Sequence, residues 1–240
     1  MKRTDNSFYK QQQQDFGWGF EYPDYESEDA RLSTINTELK PAFIQVGAGQ
    51  IGLSICPAKK GHGMAGVHRR DFHTDMMKLK SLGVRRLYGL MPEHELVTYK
   101  AEQLLTHTEE YGVEYCHVPF EDRTVPYCHR DPYVSIRFWK AIDSALRDLS
   151  DGYRIVVHCR GGLGRTGTFA GCVLAKAGWG VDEMIDALHD ARGHLCPETS
   201  EQNAFIRTIC TGLYPSKRNL NHYPLDDHSR GIAKALKAMR

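Results

Sequence analysis

Val156-Val157-His158-Cys159-Arg160-Gly161-Gly162-Leu163-Gly164-Arg165-Thr166-Gly167-Thr168 joins a β-branched run, ending on a cysteine, to an apolar helical stretch through three glycines and an arginine. A loop that turns backbone N–H groups around an anion needs residues without a Cβ clash, and Gly161, Gly162 and Gly164 supply them. The start of the following helix adds the positive end of its dipole. Cysteines in such fields ionise at about 3.5 to 7.5 instead of about 8.5, so Cys159 is expected to be a thiolate nucleophile at neutral pH. Arg165 can hold two oxygens of a phosphate with its planar fork. The stretch reads as a phosphate cradle with a nucleophile in it, lined by Arg160, Gly161, Gly162, Leu163, Gly164 and Arg165.

The surrounding pattern predicts the sheet that carries this loop. Ala42 to Val46 and Gln50 to Cys56 read as short strands, Val84 to Leu90 and Val113 to Val118 as two more, and Arg154 to His158 as the strand entering the loop. Between them fall predicted helices over 70–82, closed by Gly83, and over 98–111, closed by Gly112. A long helix runs from Asp131-Pro132, an N-cap followed by proline at the first helical position, through Leu149, with Phe138, Ile142, Ala145 and Leu149 facing the core. Further helices are expected over 166–177, 182–191 and 199–211. Strands alternating with helices imply an α/β fold, a mainly parallel sheet with helices on both faces. Ligands of such sheets bind beyond the carboxyl ends of strands, where the cysteine loop lies.

Gly47-Ala48-Gly49-Gln50-Ile51-Gly52 satisfies the Gly-x-Gly-x-x-Gly fingerprint of dinucleotide binding. That fingerprint needs a helix to begin at the turn, whereas Leu53-Ser54-Ile55-Cys56 is β-like and Pro57 follows. A hairpin is the better expectation.

With 240 residues and a net charge of +1, the chain suits one domain with appendages and does not suit a protein dominated by nucleic-acid backbone contacts. Residues 1–38 read as a flexible polar arm, with the Gln11 to Gln14 run and acidic residues from Glu21 to Asp29; Phe16, Trp18, Phe20, Tyr22 and Tyr25 could dock on the body or on a partner. Residues 39–213 form the expected catalytic body, and 214–240 a tail with a short amphipathic helix around Ile232, Leu236 and Met239. Neither a membrane span nor a signal peptide is legible, and the seven cysteines lack a disulfide-framework spacing. A cytoplasmic monomer, not associated with membranes, is expected. His62, His68 and His73 have no metal-ligand spacing, and no metal or cofactor is expected.

A thiolate attacking phosphorus needs a proton donor for the departing oxygen, from a loop opposite the nucleophile. Phe120-Glu121-Asp122-Arg123-Thr124-Val125-Pro126, just after a strand and before the long helix, is such a loop. Thr199-x-x-Gln202 is a capping box.

His158-Cys159, five residues, Arg165 and Thr166 match the His-Cys-x5-Arg-Ser/Thr signature, and by it the chain resembles the cysteine-dependent protein tyrosine and dual-specificity phosphatases. Ser54-Ile55-Cys56-Pro57, Leu79-Lys80-Ser81-Leu82-Gly83, Glu95-Leu96 and the segment from Pro119 extend the likeness over residues 40–212, closest to the kinase-associated phosphatases. The acid loop itself is similar to that of the phosphatase-and-tensin type. The resemblance implies a cysteinyl-phosphate mechanism acting on a phosphorylated protein, with Asp122 as general acid and Glu121 as its rival. It implies that Thr166 assists departure of the sulfur, besides or instead of capping the helix. It implies that His158 supports a low thiol pKa and that Gln202 orients water, besides or instead of capping. With Leu163 where phosphoinositide enzymes carry a second lysine, phosphoprotein is expected over inositide. A phosphate-binding pseudophosphatase and a small-molecule phosphatase are the competing readings. Cys56, Cys116 and Cys172 are conceivable disulfide partners for Cys159.

Overall fold

The computed structural model describes residues 38–63, 66–126 and 132–211. The expected arm, the tail helix and the Asp131 cap lie outside the described residues. Strands β1 (Ala42–Val46) and β2 (Gly49–Ile55) form a hairpin. The Gly47-Ala48 turn has Gly47 at φ +58°, the left-handed backbone that tight hairpin turns require. No helix starts there, so the dinucleotide fingerprint is a hairpin.

A second, two-stranded hairpin, β3 (Lys60–Gly63) and β4 (Gly66–Arg69), follows. Its glycines and polar residues give no alternating signal, and the sequence offered no sign of it. Then come helix α1 (Phe72–Ser81), capped by the Asp71 carboxylate on the Thr74 N–H at 2.8 Å, and β5 (Val84–Gly89).

The helix expected over 98–111 is not formed. Helix α2 (Glu93–Thr98) precedes that segment, and two single 3-10 turns, Glu102–Leu105 and Thr108–Tyr111, occupy it. Lys100, at φ +53°, breaks the backbone between α2 and the first turn. Leu104 of the first turn is nonetheless fully buried, so the segment packs on the core without forming a helix.

β6 (Glu114–His117), α3 (Pro132–Ser150), β7 (Arg154–Cys159), α4 (Gly164–Lys176), α5 (Val181–Arg192) and α6 (Ser200–Thr211) complete the order. The five-stranded sheet runs β1-β2-β7-β5-β6, with β1 antiparallel and every other neighbour parallel. β7 is central, as its unbroken apolar run predicts for a strand covered on both faces. Ile155, Val157 and Cys159 point into the core shared with α3, α4, α5 and α6, while Val156 points to the core shared with α1 and the 3-10 turns.

The larger core centres on Phe138, Ile142, Phe169, Val173 and Leu188, all fully buried. Each such side chain contributes about 1.5–3 kcal/mol from burial. Phe138 and Phe169 meet edge to face at 5.7 Å. At the amino end of the sheet, Arg86 reaches Asp148 on α3 and Glu114 on β6, the latter at 2.7 Å, tying helix to strands. Among the described residues, no helix is long and apolar enough to cross a membrane.

Candidate active site

Parallel pairing sets Ile55 beside Cys159 and Gly89 beside His158, so the carboxyl ends of β2, β5 and β7 open at one edge. The cysteine loop sits on that edge and runs directly into α4. The Gly162 N–H donates to the Cys159 sulfur at 3.3 Å, so this N–H of the loop is turned inward. Gly162 is at φ +73°, and a Cβ there would lie 2.6 Å from the Ser54 backbone. Outside the loop, Arg192 of α5 donates to the Gly161 carbonyl at 2.9 Å and the Gly162 carbonyl at 3.0 Å. Holding the carbonyls outward keeps the N–H groups facing in.

Arg165 is fully buried. Both its terminal nitrogens engage Glu95, at 2.9 and 2.8 Å, and one also donates to the Phe120 carbonyl at 3.1 Å. Its Nε is a buried donor without a hydrogen-bond partner among the described residues. Burial opposes the guanidinium charge, but the Glu95 hydrogen bonds, Cys159 and Asp122 outweigh it and hold the group above its ordinary range.

Asp122 arrives from the loop after β6 with its carboxylate 3.2 Å from Arg165 and 3.1 Å from Arg160. Glu121 is exposed. Phe120 and Val125 are buried on either side and anchor the loop. Two contacts latch it to the end of the molecule that carries α6: Gln202 donates to the Thr124 carbonyl at 3.1 Å, and Arg123 meets Glu198 at 3.2 Å. Arg123 therefore steadies the loop, from a backbone at φ +62°.

Gln202 also exchanges hydrogen bonds with Thr199, at 3.2 Å each way, so the capping box is formed. It is fully buried, and its amide would lie 2.9 Å from a Cβ on Gly164. Capping and contact with the cysteine loop coexist in one side chain. Thr166 lies within the first turn of α4, whose N-cap is Leu163, so it does not cap the helix. Its buried hydroxyl has no hydrogen-bond partner among the described residues. His158 faces the opposite side of the sheet, with Nε2 3.3 Å from the Tyr115 hydroxyl, and burial draws its pKa down to about 3.

Glu95 and Arg192 are site residues that sequence reasoning did not single out for chemistry. Neither carries a local signal; each is brought in by the fold. All described cysteines are free thiols. Cys196 was not among the expected neighbours of Cys159, yet its thiol reaches the Leu163 carbonyl at 3.5 Å.

His68 and His73 do not converge. His68 is half-buried, and His73 lies 2.9 Å from the Tyr111 hydroxyl. Ligand atoms of His94, Glu95 and Glu121 do fall within 4.8 Å of one another, but both Glu95 oxygens are engaged by Arg165.

Residues 60–208 match the family described as Swiss Army Knife protein, DSP-PTPase phosphatase domain. The chain is similar to cyclin-dependent kinase inhibitor 3 of Rattus norvegicus, at 27% identity, and of Homo sapiens, at 26%. Both alignments cover 140 residues, 58% of this chain and 63% of the relative, so the match spans less than two thirds of those relatives. Among solved structures, kinase-associated phosphatase with its catalytic-site cysteine replaced by serine superposes with a TM-score of 0.64 at 23% identity, covering 74% of this chain and 97% of that one. PTPMT1 in complex with PI(5)P gives 0.51 at 17% identity, covering 72% and 96%. At these identities the likeness is one of fold.

Proposed function

The chain belongs to the DSP-PTPase phosphatase domain family, and on that footing we propose that it dephosphorylates phosphoproteins, at phosphotyrosine and also at phosphoserine or phosphothreonine. One observation carries the reading. The Cys159 sulfur sits under an inward N–H of its own loop, while Arg165 keeps a free buried Nε and Asp122 stands 3.1–3.2 Å from the two arginines that would hold the phosphate.

In this reading the phosphoryl group lies in the loop, gripped by the inward N–H groups, Arg165 and Arg160. The Cys159 thiolate attacks phosphorus as the bond to the substrate oxygen breaks, and Asp122 gives that oxygen its proton. The cysteinyl-phosphate is then cleaved by water, whose proton returns to Asp122, releasing phosphate and the thiolate. Gln202, beside the loop and bonded to the acid loop, is placed to orient that water. The buried Thr166 hydroxyl is the donor for the departing sulfur. Likeness to cyclin-dependent kinase inhibitor 3, at 26–27% identity, supports a protein substrate, and Leu163 adds no further cation for an inositide head.

A substrate panel tests the reading: phosphotyrosine and phosphothreonine peptides, phosphoinositides and inositol phosphates, each with a chelator present. Phosphopeptide turnover with a trapped phosphoryl group on Cys159, abolished by Cys159→Ser, is expected. Inositol phosphates turned over far faster than every phosphopeptide would reject the protein substrate. Full activity in Cys159→Ser would reject the mechanism.

A further inference from the structure

Lys59 is buried to 1% exposure, an unusual place for a lysine. It follows Cys56-Pro57-Ala58 off the carboxyl end of β2, the strand whose Ile55 pairs with Cys159. Its ammonium lies 3.5 Å from the Arg160 carbonyl and 5.2 Å from the centre of the Tyr99 ring. Among the described residues, no carboxylate stands within ion-pair distance of it. An ammonium buried without a counter-charge is costly. Burial accordingly draws its pKa down to about 8.

The backbone is built to turn this side chain inward. Ala58 sits at φ +61°, a conformation that a non-glycine residue keeps only where its surroundings over-determine it. The Ala58 N–H donates to Asp75 at 2.8 Å, and Asp75 also takes both arms of the Arg70 fork, at 2.7 and 2.6 Å. The Arg70 N–H holds the Lys59 carbonyl at 3.0 Å, and the Lys60 N–H holds the Tyr99 carbonyl at 2.8 Å.

The groups packed around Lys59 identify its counter-charge. Arg160 and Arg70 are cations. His68 is drawn down to about 4 by burial and by the Lys59 and Arg70 charges, so it is neutral at pH 7. Asp75 is spent on Arg70. Burial pushes the Cys56 thiol up, which keeps it protonated. Tyr99 offers its ring face. That leaves Cys159.

We propose that Lys59 is a positioning residue of this site, a second buried cation that, with Arg165, supports the Cys159 thiolate. It also holds the Arg160 carbonyl outward, as Arg192 does for the next two carbonyls. The proposal rests on Cys159 being the nucleophile proposed above.

The test is the pH dependence of Cys159 alkylation by iodoacetamide in the full chain, followed by mass spectrometry of the peptide that contains it, in wild type and Lys59→Met. Removing a nearby cation disfavours the thiolate, so at about pH 6 alkylation of Lys59→Met is expected to be about tenfold slower, with the profile displaced to higher pH. A general loosening of the loop would expose the sulfur and speed alkylation instead. Superimposable or faster profiles overturn the proposal.

Should Lys59→Met fail to fold, the coupling is read in reverse. Carbon-13 NMR titration of Lys59 in wild type and Cys159→Ser should show the lysine losing its proton at lower pH in Cys159→Ser, and an unchanged titration overturns the proposal. Alkylation needs no substrate. A displaced profile without phosphopeptide turnover would sink the phosphatase reading alone, and normal turnover with superimposable profiles would sink Lys59 alone.

Discussion

Glu95 meets Arg165 through both carboxylate oxygens, at 2.9 and 2.8 Å, with the guanidinium fully buried. The pairing fixes the plane of the fork and leaves Nε for the phosphate. Glu95→Gln keeps the shape and removes the charge. Loss of about 3 kcal/mol in urea unfolding is expected, because one partner of a buried pair is left behind. A fall of about tenfold or more in kcat/KM should accompany it, since the Arg165 fork loses its fixed orientation. Unchanged kinetics would show that Arg165 is positioned without Glu95.

Asp122→Asn removes the proton but keeps the size of the side chain. For a phosphotyrosine peptide, kcat is expected to fall by about 10²–10⁴. The loss should shrink for an aryl phosphate whose leaving group needs no proton. Glu121→Gln should stay near wild type, because Asp122 is the carboxylate beside Arg160 and Arg165 while Glu121 is exposed. A reversal of the two phenotypes would move the acid to Glu121.

Gly161 and Gly162 are adjacent in the loop, yet the structure separates them. A Cβ on Gly162 would meet the Ser54 carbonyl at 2.6 Å from a backbone at φ +73°, whereas one on Gly161 meets nothing within 4 Å. Gly162→Ala should cost at least about 2 kcal/mol in stability and abolish turnover. Gly161→Ala should fold as wild type. Equal thermal stability of the two variants would contradict the loop geometry.

His158 has its pKa drawn by burial from 6.5 to about 3, so the unfolded chain binds more protons than the folded one as pH falls. The stability this group contributes is complete above about pH 6.5 and is lost progressively toward about pH 3. Between about pH 7 and about pH 5 the loss is roughly 2 kcal/mol. Urea midpoints measured across that range should fall in wild type and fall less in His158→Asn. His68 acts in the same direction and is common to both proteins, so the difference isolates His158. Parallel slopes in the two proteins would mean that His158 takes up a proton in the folded state.

What the sequence by itself determined is local. The β-branched run of β7, the glycines of the cradle, the stripe of α3 and the Gly47 turn each follow from neighbours a few residues apart, and each is legible without the fold. The Cys159–Arg165 spacing belongs here too, because one loop carries both groups. The segment from Thr98 to Tyr111 misled for the same reason, since apolar spacing reports burial and does not see Lys100 leave the helical region.

The surroundings of that loop were decided by tertiary structure. Glu95, Arg192 and Lys59 stand 70, 31 and 101 residues from the partners they hold in Arg165, Gly161 and Arg160. Parallel pairing of β2, β5 and β7 gathers the ends of distant segments at one edge, and a charge buried there must find its partner among them. No periodicity encodes such a meeting. It is fixed by which strands lie side by side, and so the nucleophile could be read from the chain while the charges that balance it could not.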